Sequence, residues 1–210
     1  MRRNPSRSRA TARLGGGVAG FREATRRGIR RREIDDLRTM AKLDILIAPD
    51  RRLRTKCTPL GEVDDATRRL LDDMLETMYA APGVGLAAPQ VGVLKRLVVM
   101  DCARDEEEPD PLKLVDPEIV WRSDEIVTGN EGCLSLPEIY VDVDRPEAAR
   151  VAYLDENGTA QEIEVDGLRA RCLQHEIDHL NGVLHVDYLS AIKRGVILRR
   201  LEKSKRRKKD

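Results

Sequence analysis

This 210-residue chain is poor in aromatic residues and in cysteine, and both scarcities exclude classes of protein. Phe, Trp and Tyr make up 3% of the residues, so a core built from the 40% that are hydrophobic must be largely aliphatic. No apolar run approaches the ~20 residues of a membrane-spanning helix, and no apolar stretch near the start resembles a secretory signal. Four cysteines in such a chain predict reduced thiols rather than a disulfide framework. We therefore expect a cytoplasmic protein with no membrane partner.

The net charge of +1 conceals a strong separation of charge along the chain. Residues 1–32 hold eleven arginines and one acid, and residues 193–210 hold ten Lys and Arg and two acids, so these ends carry +10 and +8. The body between them therefore carries −17. Basic ends of this kind are typical of solvated, disordered tails or of segments attracted to a polyanion such as RNA.

Residues 1–39 are predicted to form a disordered basic extension, because they contain three consecutive glycines and no apolar periodicity. Their arginine-rich, serine-containing composition also resembles an organellar transit peptide, which would place the protein in an organelle. A third interpretation takes Met40 as the true start, since strand-like alternation follows it, with Leu43, Ile45 and Ile47 on one face. We favour this third interpretation, and none of the three places any chemistry before residue 40.

The rest of the chain predicts a main domain over residues 40–192 and a basic C-terminal helix or tail over residues 193–210. Apolar residues at helical spacing indicate one helix over 63–79, capped by Asp64 or Asp65, and a second from Asp166 to Gly182. Strands are predicted over four segments, of which the last two flank a turn typical of a hairpin: 95–101, 113–121, 150–154 and 159–165. The pattern indicates an α+β fold in which short antiparallel sheets pack around a central helix, followed by a C-terminal helix.

The most informative segment of the second helix is His175-Glu176-Ile177-Asp178-His179. Side chains four residues apart lie on the same face of a helix, so both histidines can bind one metal ion. Glu176 lies about 100° further round the helix, where it can contact a water on that ion. Two neutral ligands, a water and a nearby base are what a metal-dependent hydrolase requires. The alternative is a helix that carries two histidines and several acids on its solvated side.

A catalytic zinc or iron site typically has three protein ligands, and the sequence offers three candidates for the third. Cys172 lies seven residues, ~10 Å, from His179 along the helix, so we expect it to pack rather than to bind the ion. His185 completes the spacing of metzincin proteases, but those enzymes need a methionine turn downstream, and every methionine here precedes the helix. The remaining candidate is Cys133, whose thiolate would form a tetrahedral Cys-His-His site with a water.

Three segments of the chain resemble the signature motifs of the peptide deformylase family. They are Gly83-Val-Gly-Leu-Ala-Ala-Pro-Gln-Val-Gly92, Glu131-Gly-Cys-Leu-Ser135 and Gln174-His-Glu-Ile-Asp-His-Leu-Asn-Gly182. The motifs occur in the family's order, and Cys133 and His175 have the family's separation of 42 residues. The resemblance extends from about Leu43 to Leu201, and it implies that residues 40–192 form the catalytic domain.

What the resemblance implies is an enzyme that hydrolyses the formyl group from the N-terminal methionine of new polypeptides and releases formate. It implies that Cys133, His175 and His179 bind the metal and that Glu176 is the catalytic acid/base. The side chain of Gln90 and the backbone N–H of Leu134 would donate hydrogen bonds to the oxyanion. Gly85 would bind the peptide backbone as part of a strand. The implied ion is Fe(II), which Zn or Ni can replace. Val84, Leu168 and Cys172 are candidates for the methionine pocket, although core packing is the commoner role of such residues.

The resemblance also implies a partner, because family members with a basic C-terminal helix dock on the ribosome near the exit tunnel, and residues 189–209 resemble that helix. No DNA partner is expected. The chain departs from the family at two places near the site. His185 occupies a position that is usually apolar, and we expect a surface or packing role for it. Thr128-Gly129-Asn130 is polar where apolar pocket residues are common, so the side-chain preference can differ.

Two other hypotheses stay open at this point. The chain could be a deformylase fold that has lost catalysis and serves as a ribosome-binding module, but the intact Glu176, Gln90 and ligand positions oppose this. It could also be an RNA-binding protein with a structural metal, which only the basic ends favour. A structural site usually has four protein ligands, and no fourth ligand is evident.

Overall fold

The computed structural model describes residues 42–103 and 107–207 of the chain. The predictions for residues 1–39 lie outside these ranges. Five of the described strands form one antiparallel sheet: β1 (Gly85–Ala87), β2 (Leu97–Met100), β3 (Leu112–Arg122), β6 (Ala148–Leu154) and β7 (Ala160–Asp166). Their order across the sheet is β1-β2-β3-β6-β7. Its strands overlap the four predicted segments, with bounds that differ by up to two residues, and the β6–β7 hairpin has the predicted turn, with Gly158 in the left-handed region.

The sheet is covered on each face by one helix, α1 (Asp65–Ala80) and α2 (Gly167–Leu180). Strand β2 is buried along its whole length, and its alternate residues point to opposite faces. Val98 and Met100 belong to the core cluster of α2, whereas Leu97 and Val99 belong to that of α1. The buried hydrophobic side chains of the described residues are all aliphatic or sulfur-containing, as the low aromatic content predicts.

The two helices begin close to the predicted positions, but only one has the predicted cap. The Asp64 carboxylate accepts a 2.8 Å hydrogen bond from the backbone N–H of Thr67 at the start of α1. Asp166 occupies the N-cap position of α2, but its side chain makes no capping bond, so that part of the prediction was wrong. Gly182 follows the end of α2 in the left-handed region that favours glycine.

A two-stranded sheet, β4 (Ile126–Cys133) with β5 (Leu136–Pro146), was not predicted from the sequence. A two-residue turn, Leu134-Ser135, joins the strands, and Cys133 pairs with Leu136 across it. Neither turn residue is one of the Gly, Asn or Asp residues that mark a hairpin in a sequence. This hairpin positions Cys133 and is therefore essential to the site.

The strand-like alternation at residues 42–49 does not form a strand. The segment instead donates single backbone hydrogen bonds to separate parts of the fold, from Leu46 to the carbonyl of Gln90 and from Ala48 to the carbonyl of Ser135. Ile45 and Ile47 line a cavity, so the segment contributes to a wall rather than to a sheet.

The predicted C-terminal helix is present as α3 (Ala191–Arg207). Helix α3 packs through Ile197 and Leu201 against a buried cluster of β5 and the chain after α2. Ile192 and Val196 do not anchor the helix, because they are 80% and 53% exposed. No helix in the described part of the chain is long and apolar enough to cross a membrane.

The α+β architecture, with antiparallel sheets and helix α2 at the centre, agrees with the fold class that the sequence predicts.

Candidate metal centre

Helix α2 carries its two candidate ligands and its candidate base on a buried face. His175, Glu176 and His179 are 7%, 4% and 1% exposed. The rings of His175 and His179 meet edge to face, with their centroids 4.9 Å apart. The i, i+4 spacing therefore places both imidazoles on one side of the helix, as the sequence predicts.

Cys133 completes the cluster from the end of β4. Its Sγ lies 3.2 Å from Nε2 of His179, and the three ligand atoms all lie within 4.8 Å of one another. One thiolate and two imidazoles form a donor set typical of zinc or iron(II). Within the described ranges this is the one cluster of at least three such groups, and it holds three ligands rather than four. The residues therefore fit a catalytic ion with an open position better than a closed structural ion.

The orientation of His175 is fixed by Glu131, a motif residue to which the sequence assigned no role. Glu131 Oε2 lies 2.9 Å from Nδ1 of His175, which leaves Nε2 of that ring for an ion. Arg145 donates two hydrogen bonds to the same carboxylate, at 2.6 and 3.0 Å. Burial would raise the pKa of Glu131, but the hydrogen bonds from His175 and Arg145 outweigh burial and lower this pKa to about 2.

Arg145 is buried with Glu131 and continues the network away from the site. Its Nη1 donates to Asp178 at 2.9 Å, and Asp178 also accepts a 2.8 Å hydrogen bond from the hydroxyl of Tyr188. Sequence reasoning had one usable signal for this network: an acid and an arginine, Glu131 and Arg145, in adjacent strands of one hairpin. That signal is invisible while the hairpin itself is not predicted.

Glu176 is a buried carboxylate whose environment suits proton transfer near neutral pH. Its Oε2 has no hydrogen-bond partner in the described protein, and burial raises its pKa to about 7. A Cβ atom built on Gly85 would lie 2.5 Å from Glu176 Oε1 and 2.7 Å from Cys172 Sγ. Only glycine therefore allows strand β1 to approach the helix this closely.

Gln90 lies in a short 3-10 helix after β1 and is 1% exposed. Its Oε1 accepts a 2.8 Å hydrogen bond from the N–H of Ala87, so its Nε2 must point in the other direction. Nε2 donates to Ser135 Oγ at 3.3 Å and lies 3.7 Å from Cys133 Sγ. The amide N–H groups of Gln90 therefore face the cluster, as a donor to a developing negative charge must.

A cavity of about 690 Å³ opens beside these residues. Every residue that the sequence assigned to the site lines it except His179: Val84, Gly85, Gln90, Cys133, Leu134, Leu168, Cys172, His175 and Glu176. Val84 and Leu168 are about half exposed, so they line the opening rather than the core. Strand β1 is an edge strand of the sheet, so its outer side is available to a further strand along the cavity.

The two rejected ligand candidates pack as expected. Cys172 is buried outside the ligand cluster, and its Sγ contacts the carbonyl oxygen of Val84 at 3.4 Å. His185 is 1% exposed, so the surface role considered for it is wrong and the packing role is correct. Its ring lies 5.7 Å from that of His175, and burial, with the charge of His175, lowers its pKa to about 4.

Comparison with known proteins gives one consistent result. A family model described as polypeptide deformylase matches residues 42–195. A peptide deformylase from Methylocella silvestris is 54% identical over 163 residues, which cover 76% of this chain and 83% of that protein. The crystal structure of peptide deformylase from Ehrlichia chaffeensis matches with a TM-score of 0.77 and 41% identity, over 81% of this chain and all of that one. A Met-Ala-Ser-bound class I type b peptide deformylase from Acinetobacter baumannii matches with a TM-score of 0.68 and 34% identity, over 72% of this chain and all of that one.

Proposed function

The chain belongs to the peptide deformylase family and is an enzyme that removes an N-terminal formyl group, and we propose that it does so by metal-dependent hydrolysis at Cys133, His175 and His179. The proposed substrate is the formyl-methionine terminus of a newly synthesised polypeptide, and the products are formate and the free amine. The observation that carries the proposal is the cluster of three ligand atoms, because two of its residues, Cys133 and His175, line the same cavity as Glu176 and Gln90.

The donor set supports a divalent ion with an open coordination position. A bound ion would polarise the formyl oxygen and lower the pKa of a water molecule in the site. We propose Fe(II) as the native ion, with Zn or Ni able to replace it, because one soft thiolate and two imidazoles suit all three. Oxidative sensitivity distinguishes the ions: iron enzyme kept in air should lose activity over time and nickel enzyme should not, so equal lifetimes would contradict the iron assignment.

Glu176 is the proposed general base and acid. Its pKa of about 7 allows it to accept a proton from the attacking water and then to deliver that proton to the departing amine. Gln90 Nε2 and the backbone N–H of Leu134 are the proposed donors to the oxyanion of the tetrahedral state. One such donor commonly contributes ~3–4 kcal/mol to the transition state.

The substrate backbone is proposed to bind as an added strand along Gly85, with its first side chain near Val84 and Leu168. The free edge of β1 supports this arrangement, since an edge strand presents unpaired N–H and C=O groups. The relative with Met-Ala-Ser bound supports a methionine-led peptide as ligand.

The proposed partner is the ribosome near the exit tunnel, which delivers nascent chains. Helix α3 supports this proposal because residues 193–210 carry ten basic and two acidic residues, a composition suited to RNA phosphates. The proposed division of the chain is a basic extension (1–39), a catalytic domain (40–192) and a docking helix (193–210). The cytoplasm follows as the proposed compartment, because that is where such substrates are made.

The test uses the full chain, purified anaerobically with Fe(II), and formyl-Met-Ala-Ser as substrate. Formate should be released in proportion to the bound metal, and a chelator should abolish the release until metal is restored. Cys133→Ser should lose or exchange the metal, because a weak alcohol replaces a soft thiolate. Formate release by metal-free protein, or full metal binding without turnover, would overturn the proposal.

A further inference from the structure

Arg171 lies in the wall of the cavity, and no part of the proposed chemistry uses it. It precedes His175 by four residues on α2, so it lies one helical turn away on the same face. Its side chain is only 14% exposed, which is low for an arginine. Asn130, also in the wall, is the neighbouring polar residue.

The guanidinium of Arg171 is bound across both strands of the β4–β5 hairpin. Nη2 donates to the carbonyl of Val127 on β4 at 2.7 Å, and Nη1 donates to the carbonyl of Val143 on β5 at 2.9 Å. Nη1 also donates to Glu131 at 3.0 Å. With both ends of the group bound, its position is fixed relative to the hairpin.

Gly129 provides the space for this group. A Cβ at residue 129 would lie 2.6 Å from Arg171 Cζ and 2.7 Å from Nε, so any side chain there would displace the guanidinium. The absence of a side chain at Gly129 therefore allows a polar, cationic group, Arg171, to lie in the wall of the cavity.

One donor of the guanidinium is not used by the protein. The Nε–H group of Arg171 makes no hydrogen bond to any described residue, and Nε is not among the fully buried atoms that lack a partner. An acceptor on a bound ligand would satisfy this donor, whereas an apolar ligand atom would displace its water without replacing the hydrogen bond.

We propose that Arg171 is a specificity-determining residue, which lets the side-chain pocket accept an N-terminal residue with a hydrogen-bond acceptor near its tip, such as methionine sulfoxide, besides apolar residues. This inference rests on the proposed function, because the pocket must hold the first side chain of a formyl peptide. An apolar wall would reject the sulfoxide, since a buried polar group without a partner is costly.

The test compares kcat/KM for formyl-Met-Ala-Ser, the formyl-norleucine analogue and the formyl-methionine-sulfoxide analogue. In the unmodified enzyme the preference for norleucine over the sulfoxide should stay below about tenfold, because one hydrogen bond offsets the polar tip. A larger preference would overturn the proposal without the use of any variant. No formate from any of the three peptides would instead overturn the proposed function.

Arg171→Met then removes the guanidinium and keeps an unbranched stem. Its preference for norleucine should rise at least tenfold over that of the unmodified enzyme, with metal content measured to verify folding. The matched control is Arg169→Met, because Arg169 lies on the same helix but pairs with Asp110 and does not line the cavity. The Arg169→Met enzyme should keep the preference for norleucine over the sulfoxide that the unmodified enzyme shows. A preference in Arg171→Met within twofold of the unmodified enzyme would show that Arg171 only braces the hairpin.

Discussion

Helices α2 and α3 use polar and apolar residues in opposite ways. Nine of the fourteen residues of α2 are buried, and they include Gln174, His175, Glu176 and His179. None of the described side chains of α3 is buried, and Ile192 and Val196 are exposed there. A titratable group that a helix buries must gain a partner or shift its pKa, whereas an exposed basic helix needs only its charge. Changes in α2 should therefore alter chemistry, and changes in α3 should alter association.

The largest effect is expected from Glu176→Gln in α2. Turnover of formyl-Met-Ala-Ser should fall by about a thousandfold or more with metal content unchanged, because the amide cannot accept a proton. The control is Glu164→Gln, an exposed carboxylate that pairs with Arg150 and should keep full activity. If Glu176→Gln retained more than a tenth of the rate, the general-base assignment would be wrong.

Gly85→Ala tests how closely β1 must approach α2. The new Cβ would displace Glu176 or the strand, and a misplacement of about 1 Å can reduce turnover about a hundredfold. Bound metal should remain near one equivalent, since the three atoms nearest to the new Cβ belong to Glu176 and Cys172 and not to a metal ligand. Turnover within threefold of the unmodified enzyme would show that the strand adjusts without loss.

Truncation after Glu202 tests α3. Turnover of the short peptide should stay within about twofold, because none of the removed residues that the structure describes lines the cavity. Ribosome binding should weaken more than tenfold at low salt and become less dependent on salt, since fewer phosphate contacts release counterions. Unchanged cosedimentation with ribosomes would mean that the tail is only a solvated end.

The smallest effect is expected from Gly195→Ala in α3, the counterpart of Gly85→Ala. A Cβ at residue 195 meets nothing within 4 Å, so the substitution should stabilise the helix by about 0.5–1 kcal/mol without changing turnover. Circular dichroism should show equal or greater helicity. A loss of turnover would mean that α3 contributes to the catalytic site after all.

The sequence alone predicted the ligands of the site but not the parts that orient them. The relative positions of His175, Glu176 and His179 depend only on their spacing along one helix, so the sequence predicts them directly. The partnership of Glu131 with Arg145 depends on the register of β4 and β5, and the Leu134-Ser135 turn has no turn-forming signature. The prediction of a strand over residues 42–49 was wrong for a related reason. Alternation leads to a strand only where another strand is available to pair with it.

Strand β1 is only three residues long and ends the sheet, and this has a consequence for the range of proteins that the enzyme serves. Recognition through main-chain N–H and C=O groups is the same for every amino acid except proline. A peptide bound along this edge is therefore selected for its free extended end and its first side chain, and very little for the residues that follow. If the substrate binds in the proposed way, a single enzyme of this design would accept many different chains, provided that each presents its terminus before it folds.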